Sequence, residues 1–117
     1  AIDAGADIIF GSGPHVTRAV ELYKNRFIAY SLGNFCTYGQ FNLDGSRGWA
    51  PIMNVFTDPE GKFLYAKATA IRQPYPGYPL LDLQNRAIKE LQKLTTQDFP
   101  EMDSVLFIDD SGYISKR

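Results

Sequence analysis

Three tight-turn signals cut this chain into strand-length pieces, and they constrain its fold more than any other feature. Asp58-Pro59-Glu60-Gly61 places Asp first, Pro second and Gly fourth, the residue order of a type I turn. Asp109-Asp110-Ser111-Gly112 repeats the Asp-first, Gly-fourth pattern. Lys24-Asn25 lies between two apolar stretches, and Asn tolerates the positive φ that a tight hairpin turn needs. The flanking segments are residues 16–23 with 26–31, 52–57 with 63–71, and 105–108 with 113–115. They are rich in β-branched and aromatic residues, so each pair reads as an antiparallel hairpin. One segment shows helical spacing instead. Leu83, Ala87, Ile88, Leu91 and Leu94 fall on one face, with Gln84, Arg86, Lys89, Gln92 and Lys93 opposite. Asp82 is the expected cap, and the helix is expected to end near Thr95. The chain therefore reads as an α/β or α+β domain, hairpin-rich, with one clear helix.

A further strand is expected at Asp7-Ile8-Ile9-Phe10, a short apolar run bounded by glycine and suited to burial on both faces in a parallel sheet. The residues before it read as the end of a helix stopped at Gly5, so the chain is expected to be a processed product or a fragment. Residues 37–49 read as an irregular loop carrying Tyr38, Phe41 and Trp49. Such aromatics either cover a ligand or, more commonly, pin the loop to the core. Three prolines at 74, 76 and 79 mark an extended connector ahead of the helix.

Composition sets what the chain can do. A hydrophobic fraction of 44% over 117 residues is enough for one core. The net charge of −1, with cations scattered along the chain, gives no basic patch for nucleic acid. A single cysteine, Cys36, rules out an internal disulfide, and a single histidine, His15, leaves few soft metal ligands. The Asp109-Asp110 pair lacks the liganding repeat and distal Glu of a calcium loop.

Two segments hold candidate chemistry. Gly11-Ser12-Gly13-Pro14-His15 follows the 8–10 strand, and ligands of open α/β sheets bind at the carboxyl ends of strands. Glycines there allow backbone N–H groups to approach an anion. Neutral imidazole can bind a transition metal or move protons near neutrality. His15 is thus either a functional group or a surface residue bonded to nearby backbone. Tyr30-Ser31-Leu32-Gly33-Asn34-Phe35 ends the next hairpin, where Asn34 either faces a site or bonds its own turn. Ser31 has no visible base besides the one histidine, which argues against a serine hydrolase.

Taken in order, Ala4-Gly5-Ala6-Asp7-Ile8-Ile9-Phe10-Gly11, Gly13-Pro14-His15-Val16, Glu21-Leu22-Tyr23-Lys24 and Ile28-Ala29-Tyr30-Ser31-Leu32-Gly33-Asn34-Phe35 form a series. It resembles the end of the conserved domain of CapA-type, poly-γ-glutamate capsule-synthesis proteins, over roughly the first third of the chain. The resemblance implies a metallophosphoesterase (calcineurin-like) fold, a β-sandwich flanked by helices, of which this chain would form the C-terminal part. Residues 1–73 would belong to that domain, and residues 74–117 would supply the connector, helix and terminal hairpin packed on it. It further implies a site of two divalent metal ions in the parent protein, incomplete here. His15 would be a metal ligand, Ser12 and Gly13 would line the substrate or anion side, and Asn34 would be site-adjacent. The family places a histidine where this chain has Ser12, a poor ligand at neutral pH.

Two functions follow as expectations. The parent is a metal-dependent phosphoesterase or hydrolase of capsule or envelope polymer synthesis, with this chain inactive alone. Alternatively it is a non-catalytic polymer-binding or assembly component of a capsule-synthesis membrane complex. The resemblance implies a bacterial cell-envelope location. A capsule or envelope polymer, or another phosphoester, would be the substrate, and an exposed 8–10 strand would favour self-association.

Overall fold

A computed structural model describes residues 1–39 and 41–117. The expected 37–49 loop is thus covered except for Gln40, which lies outside the described residues. The chain folds as a hairpin-rich α+β unit of two sheets and one α-helix.

The first sheet has three strands, β1 (Ile8–Phe10), β2 (Val20–Tyr23) and β3 (Arg26–Ala29), in the order β1-β3-β2. β2 and β3 form the expected hairpin, shorter than the sequence suggested. At its tip Lys24 (φ 49°) and Asn25 (φ 64°) both take positive φ, the geometry of a two-residue hairpin turn. β1 runs parallel to β3, with Ile8, Ile9 and Phe10 opposite Phe27, Ile28 and Ala29. The expectation that β1 is buried on both faces is corrected. Among the described residues β1 is an edge strand with β3 as its one ladder partner, and Phe10 is 52% exposed.

The second sheet runs β4-β5-β8-β7, built from β4 (Trp49–Thr57), β5 (Phe63–Arg72), β7 (Leu106–Ile108) and β8 (Tyr113–Lys116). The short β6 (Leu80–Leu81) pairs with the end of β5. Both Asp-first turns form as the sequence dictates. Gly61 N–H donates to the Asp58 carbonyl at 3.0 Å, and Gly112 N–H to the Asp109 carbonyl at 3.1 Å. The Asp58 carboxylate also accepts the Glu60 and Lys62 amides, each at 2.9 Å. β4 starts three residues earlier than expected and runs through Pro51. It can do so because it is an edge strand, where a missing N–H leaves no ladder bond unmade.

The helix α1 spans Arg86–Asp98, a correction to the expected start directly after an Asp82 cap. Asn85 adopts φ 52°, which no helical run can include, so the helix begins after it and Leu83 is left exposed. Asp82 keeps a capping role from four residues ahead. Its carboxylate accepts the Arg86 amide at 3.1 Å and the Arg86 guanidinium at 2.9 and 3.1 Å. The other side of that guanidinium lies over the Trp49 ring, 5.0 Å from its centroid.

Ala87, Ile88 and Leu91 turn into a single core shared by both sheets. Alternation along β5 sets Ala66, Ala68 and Ala70 on the face toward this core, and their small side chains let the helix sit close. Val20 and Phe27 from the first sheet and Ile114 from β8 close it, with Phe27 stacked on Phe63 at 5.4 Å. A fully buried Leu91 contributes about 1.5–3 kcal/mol relative to exposure. The core fixes the first hairpin against the second sheet, which is what brings the loops at one end of β1, β3 and β5 together.

Candidate functional site

Three loops meet at Asn34. The first, residues 11–15, leaves β1. Gly11 N–H donates to the Ala29 carbonyl at 2.7 Å, continuing the β1–β3 ladder by one bond. A Cβ at Gly11 would stand 2.4 Å from the Tyr30 carbonyl oxygen, so no larger residue fits this approach. Ser12, Gly13 and Pro14 then arch through solvent to His15 (φ 62°), which is also exposed.

The second loop leaves β3 through Ser31 and Leu32. Thr17 and Leu32 form an isolated bridge that prolongs the first hairpin, and the turn comes at Gly33 (φ 72°). A Cβ at Gly33 would press on the Thr17 nitrogen at 3.3 Å and the Trp49 carbonyl at 3.4 Å. The turn buries Asn34, leaving it 6% exposed. The third loop is the 3-10 turn Gly45–Gly48, which precedes β4 and presents the Arg47 carbonyl.

The hydrogen bonds of Asn34 decide the chemistry of His15. Its Nδ2 donates to the His15 carbonyl at 3.2 Å and to the Arg47 carbonyl at 3.1 Å. Both partners are carbonyls and can only accept, so the amide orientation is determined. Oδ1 must therefore face the His15 ring, where it lies 2.8 Å from Nδ1. A carbonyl oxygen cannot donate, so Nδ1 carries the hydrogen. In neutral imidazole the lone pair then belongs to Nε2, the atom free to bind a metal or take a proton.

Structure thus brings two of the sequence candidates, His15 and Asn34, into direct contact across 19 residues. Ser12 and Gly13 sit in the same loop as His15, exposed, with open space beside Gly13. The aromatics of residues 37–49 part company. Trp49 packs under Arg86, as a pinning aromatic would, but Tyr38 and Phe41 are exposed and do not pin the loop. Phe41 instead lies beside the imidazole, ring centroids 5.8 Å apart.

Sequence reasoning missed Gln73 and Arg47. Gln73 is 2% exposed. Its Nε2 donates to the Asn34 carbonyl, and its Oε1 accepts the Thr37 amide at 3.3 Å. A glutamine before a proline carries no signal of burial. The one available hint is alternation, which sets Gln73 on the side of buried Ile71. Arg47 acts through its backbone, which no residue type reveals. Tyr30 lies on the neighbouring β3 end and bonds Glu21 at 2.7 Å. Burial, then its bond to Glu21, pushes its hydroxyl up to about 12.

Among the described residues, no three His, Cys, Asp or Glu side chains converge as a metal-ligand set. The chain offers one imidazole with a defined lone pair, one hydroxyl at Ser12, and a glycine at 13 whose backbone is open to approach.

The first 38 residues match the family model of the bacterial capsule synthesis protein PGA_cap. Over 34 residues the chain is 59% identical to the capsule biosynthesis protein CapA of Bacillus anthracis, covering 29% of this chain and 8% of that protein. Over 33 residues it is 61% identical to the PGA biosynthesis protein CapA of Bacillus subtilis (strain 168), covering 28% and 9%. It is also 65% identical over 34 residues to the uncharacterized protein y4sH of Sinorhizobium fredii, covering 29% and 7%. The matched stretch spans less than a tenth of each relative's own length. His15 and Asn34 lie within the matched residues, and Arg47 and Gln73 lie beyond them.

Proposed function

We propose that this chain, whose first third carries the signature of bacterial capsule synthesis proteins, is part of a longer capsule-synthesis protein in which His15 Nε2 binds a divalent metal ion. That protein would be a metal-dependent phosphoesterase of the cell envelope, acting in the making of a capsule polymer. The observation that carries this reading is the His15–Asn34 pair. A metal-binding histidine needs its other ring nitrogen held as a donor, and Asn34 Oδ1 supplies the acceptor at 2.8 Å. The exposed position of His15 leaves room for ligands from residues outside this chain. A divalent metal, when bound, would polarise a phosphoryl oxygen and lower the pKa of bound water. The chain's own residues would orient the imidazole, through Asn34, and leave the backbone of Gly13 open to an anionic group.

A second reading has its own observation. Ser12 stands where the resembled family places a histidine, and a serine hydroxyl is a weak ligand at neutral pH. A protein that kept this fold for polymer binding or for assembly of a membrane synthesis complex would tolerate that loss.

The test is metal content and phosphoesterase activity of the full-length protein, as it stands and as Ser12→His. Bound metal with activity on a generic phosphoester, rising on Ser12→His and lost on His15→Ala, supports the hydrolase. Absence of both metal and activity in the Ser12→His form overturns it in favour of the non-catalytic reading.

A further inference from the structure

The buried side chain of Gln73 has no role in the reading above, yet every polar atom it carries reaches the turn that presents Asn34. A buried amide is costly unless its donors and acceptors are paired. Nε2 donates to the Asn34 carbonyl and Oε1 accepts the Thr37 amide at 3.3 Å, so one side chain grips both ends of residues 34–37. The Gln73 backbone N–H also donates to the Gly48 carbonyl at 2.8 Å, next to the residue whose carbonyl receives Asn34 Nδ2. Gln73 therefore ties the turn that carries Asn34 to the Gly45–Gly48 loop, one of the two loops that orient its amide.

We propose that Gln73 is a positioning residue for His15, holding Asn34 so that the hydrogen stays on His15 Nδ1 and the lone pair on Nε2. The proposal rests on reading His15 as the reactive group of the site, and it assigns part of that site to the end of β5, outside the matched residues. The orientation of the Asn34 amide depends on two carbonyls arriving from separate loops, at 3.2 and 3.1 Å. A shift of about an ångström in the 34–37 turn breaks hydrogen-bond geometry, which weakens steeply with distance and angle. The amide is then free to turn over and present Nδ2 to the ring. Nδ1 would have to accept, the hydrogen would move to Nε2, and the outward lone pair would be gone.

The chain has one histidine, so long-range proton–nitrogen spectra of the 15N-labelled full chain report a single ring. They are recorded at pH 9, well above the ordinary histidine value of about 6.5. The expected result is a dominant Nδ1–H form in the unsubstituted chain. Gln73→Leu, similar in volume and unable to hydrogen-bond, should move the tautomer ratio at least threefold toward Nε2–H. Gln73→Glu keeps an acceptor for Thr37 but loses the donor to Asn34, and should move it the same way. Ile114→Val, which loosens the core opposite Ala66, seven residues back along β5 from Gln73, should leave the ratio unchanged. An Nε2–H form in the unsubstituted chain overturns the proposal even if no variant folds. So does a ratio that stays put in folded Gln73→Leu or Gln73→Glu. Zinc titration of the full-length protein, unsubstituted and with the same Gln73 substitutions, separates this proposal from the one beneath it. About tenfold weaker zinc binding in the Gln73 variants supports both. An Nδ1–H ring that shifts in the variants, with no zinc bound by the full-length protein, supports the positioning role and sinks the metal reading alone.

Discussion

Replacing Asn34 with alanine should destabilise the chain by about 2–3 kcal/mol, and the figure follows from the bonds it makes. The side chain is buried and engaged in three hydrogen bonds, two from Nδ2 and one to Oδ1. Each such bond contributes about 0.5–1.5 kcal/mol net, and a buried group left unpaired costs more. The carbonyls abandoned by Nδ2 belong to His15 and Arg47, exposed residues that water can reach, which holds the sum toward its middle. Unfolding entropy near 2.1 cal/mol/K per residue makes this about 10 °C of Tm for a chain of this length. Asn34→Asp separates shape from chemistry. It preserves size and the acceptor facing His15 but turns an acceptor toward two carbonyls, so it should cost at least as much as alanine. His15→Ala removes one exposed ring and one bond, and should cost under about 1 kcal/mol. Thermal unfolding followed by circular dichroism ranks the three. An Asn34→Asp chain melting within about 2 °C of the parent would refute the reasoning, because the two Nδ2 donors would then contribute nothing.

Two further outcomes are expected. Burial raises the Asp82 carboxyl pKa, but the Arg86 guanidinium with the Arg86 and Gln84 amides outweighs it and leaves the folded value below the ordinary one. A folded value below the unfolded one gives a contribution fully present above about pH 4 that fades as pH falls through the folded value. Asp82→Asn should therefore flatten the acid limb of a stability–pH curve below pH 4, and a limb of unchanged slope would contradict the assignment. Exposed Ile8 and Phe10 on the edge strand β1 should make the isolated chain self-associate at tens of micromolar, with Phe10→Lys shifting it toward monomer. Sedimentation showing a compact monomer throughout that range would remove this expectation.

Features governed by a few adjacent residues were legible in the sequence. Asp58, Gly61, Asp109 and Gly112 specify their turns through local bonds, and Lys24-Asn25 sets its hairpin through backbone conformation. What depended on distant partners was not. Nothing near Tyr113 reveals that β8 pairs with β5, or that Pro51 lies on an edge strand that can spare its N–H. The helix start moved because Asn85 takes a left-handed conformation that the apolar spacing around it does not encode. At the site, residue chemistry and the order of the blocks singled out His15 and Asn34. Their contact, and the carbonyl of Arg47 and amide of Gln73 that fix it, required the loops to be assembled.

Among the described residues, the loop carrying Ser12 is hydrogen-bonded at its ends, by the Gly11 ladder bond and by the clasp of Asn34 on His15. Between those anchors Ser12 projects into solvent and supports nothing beneath it. A lineage can therefore exchange serine and imidazole at this position without passing through a poorly folded ancestor. On the proposed metal reading, selection on a donor at this position and selection on foldability would fall on different residues. The site can thus be weakened or restored over evolutionary time while the scaffold around it persists unchanged.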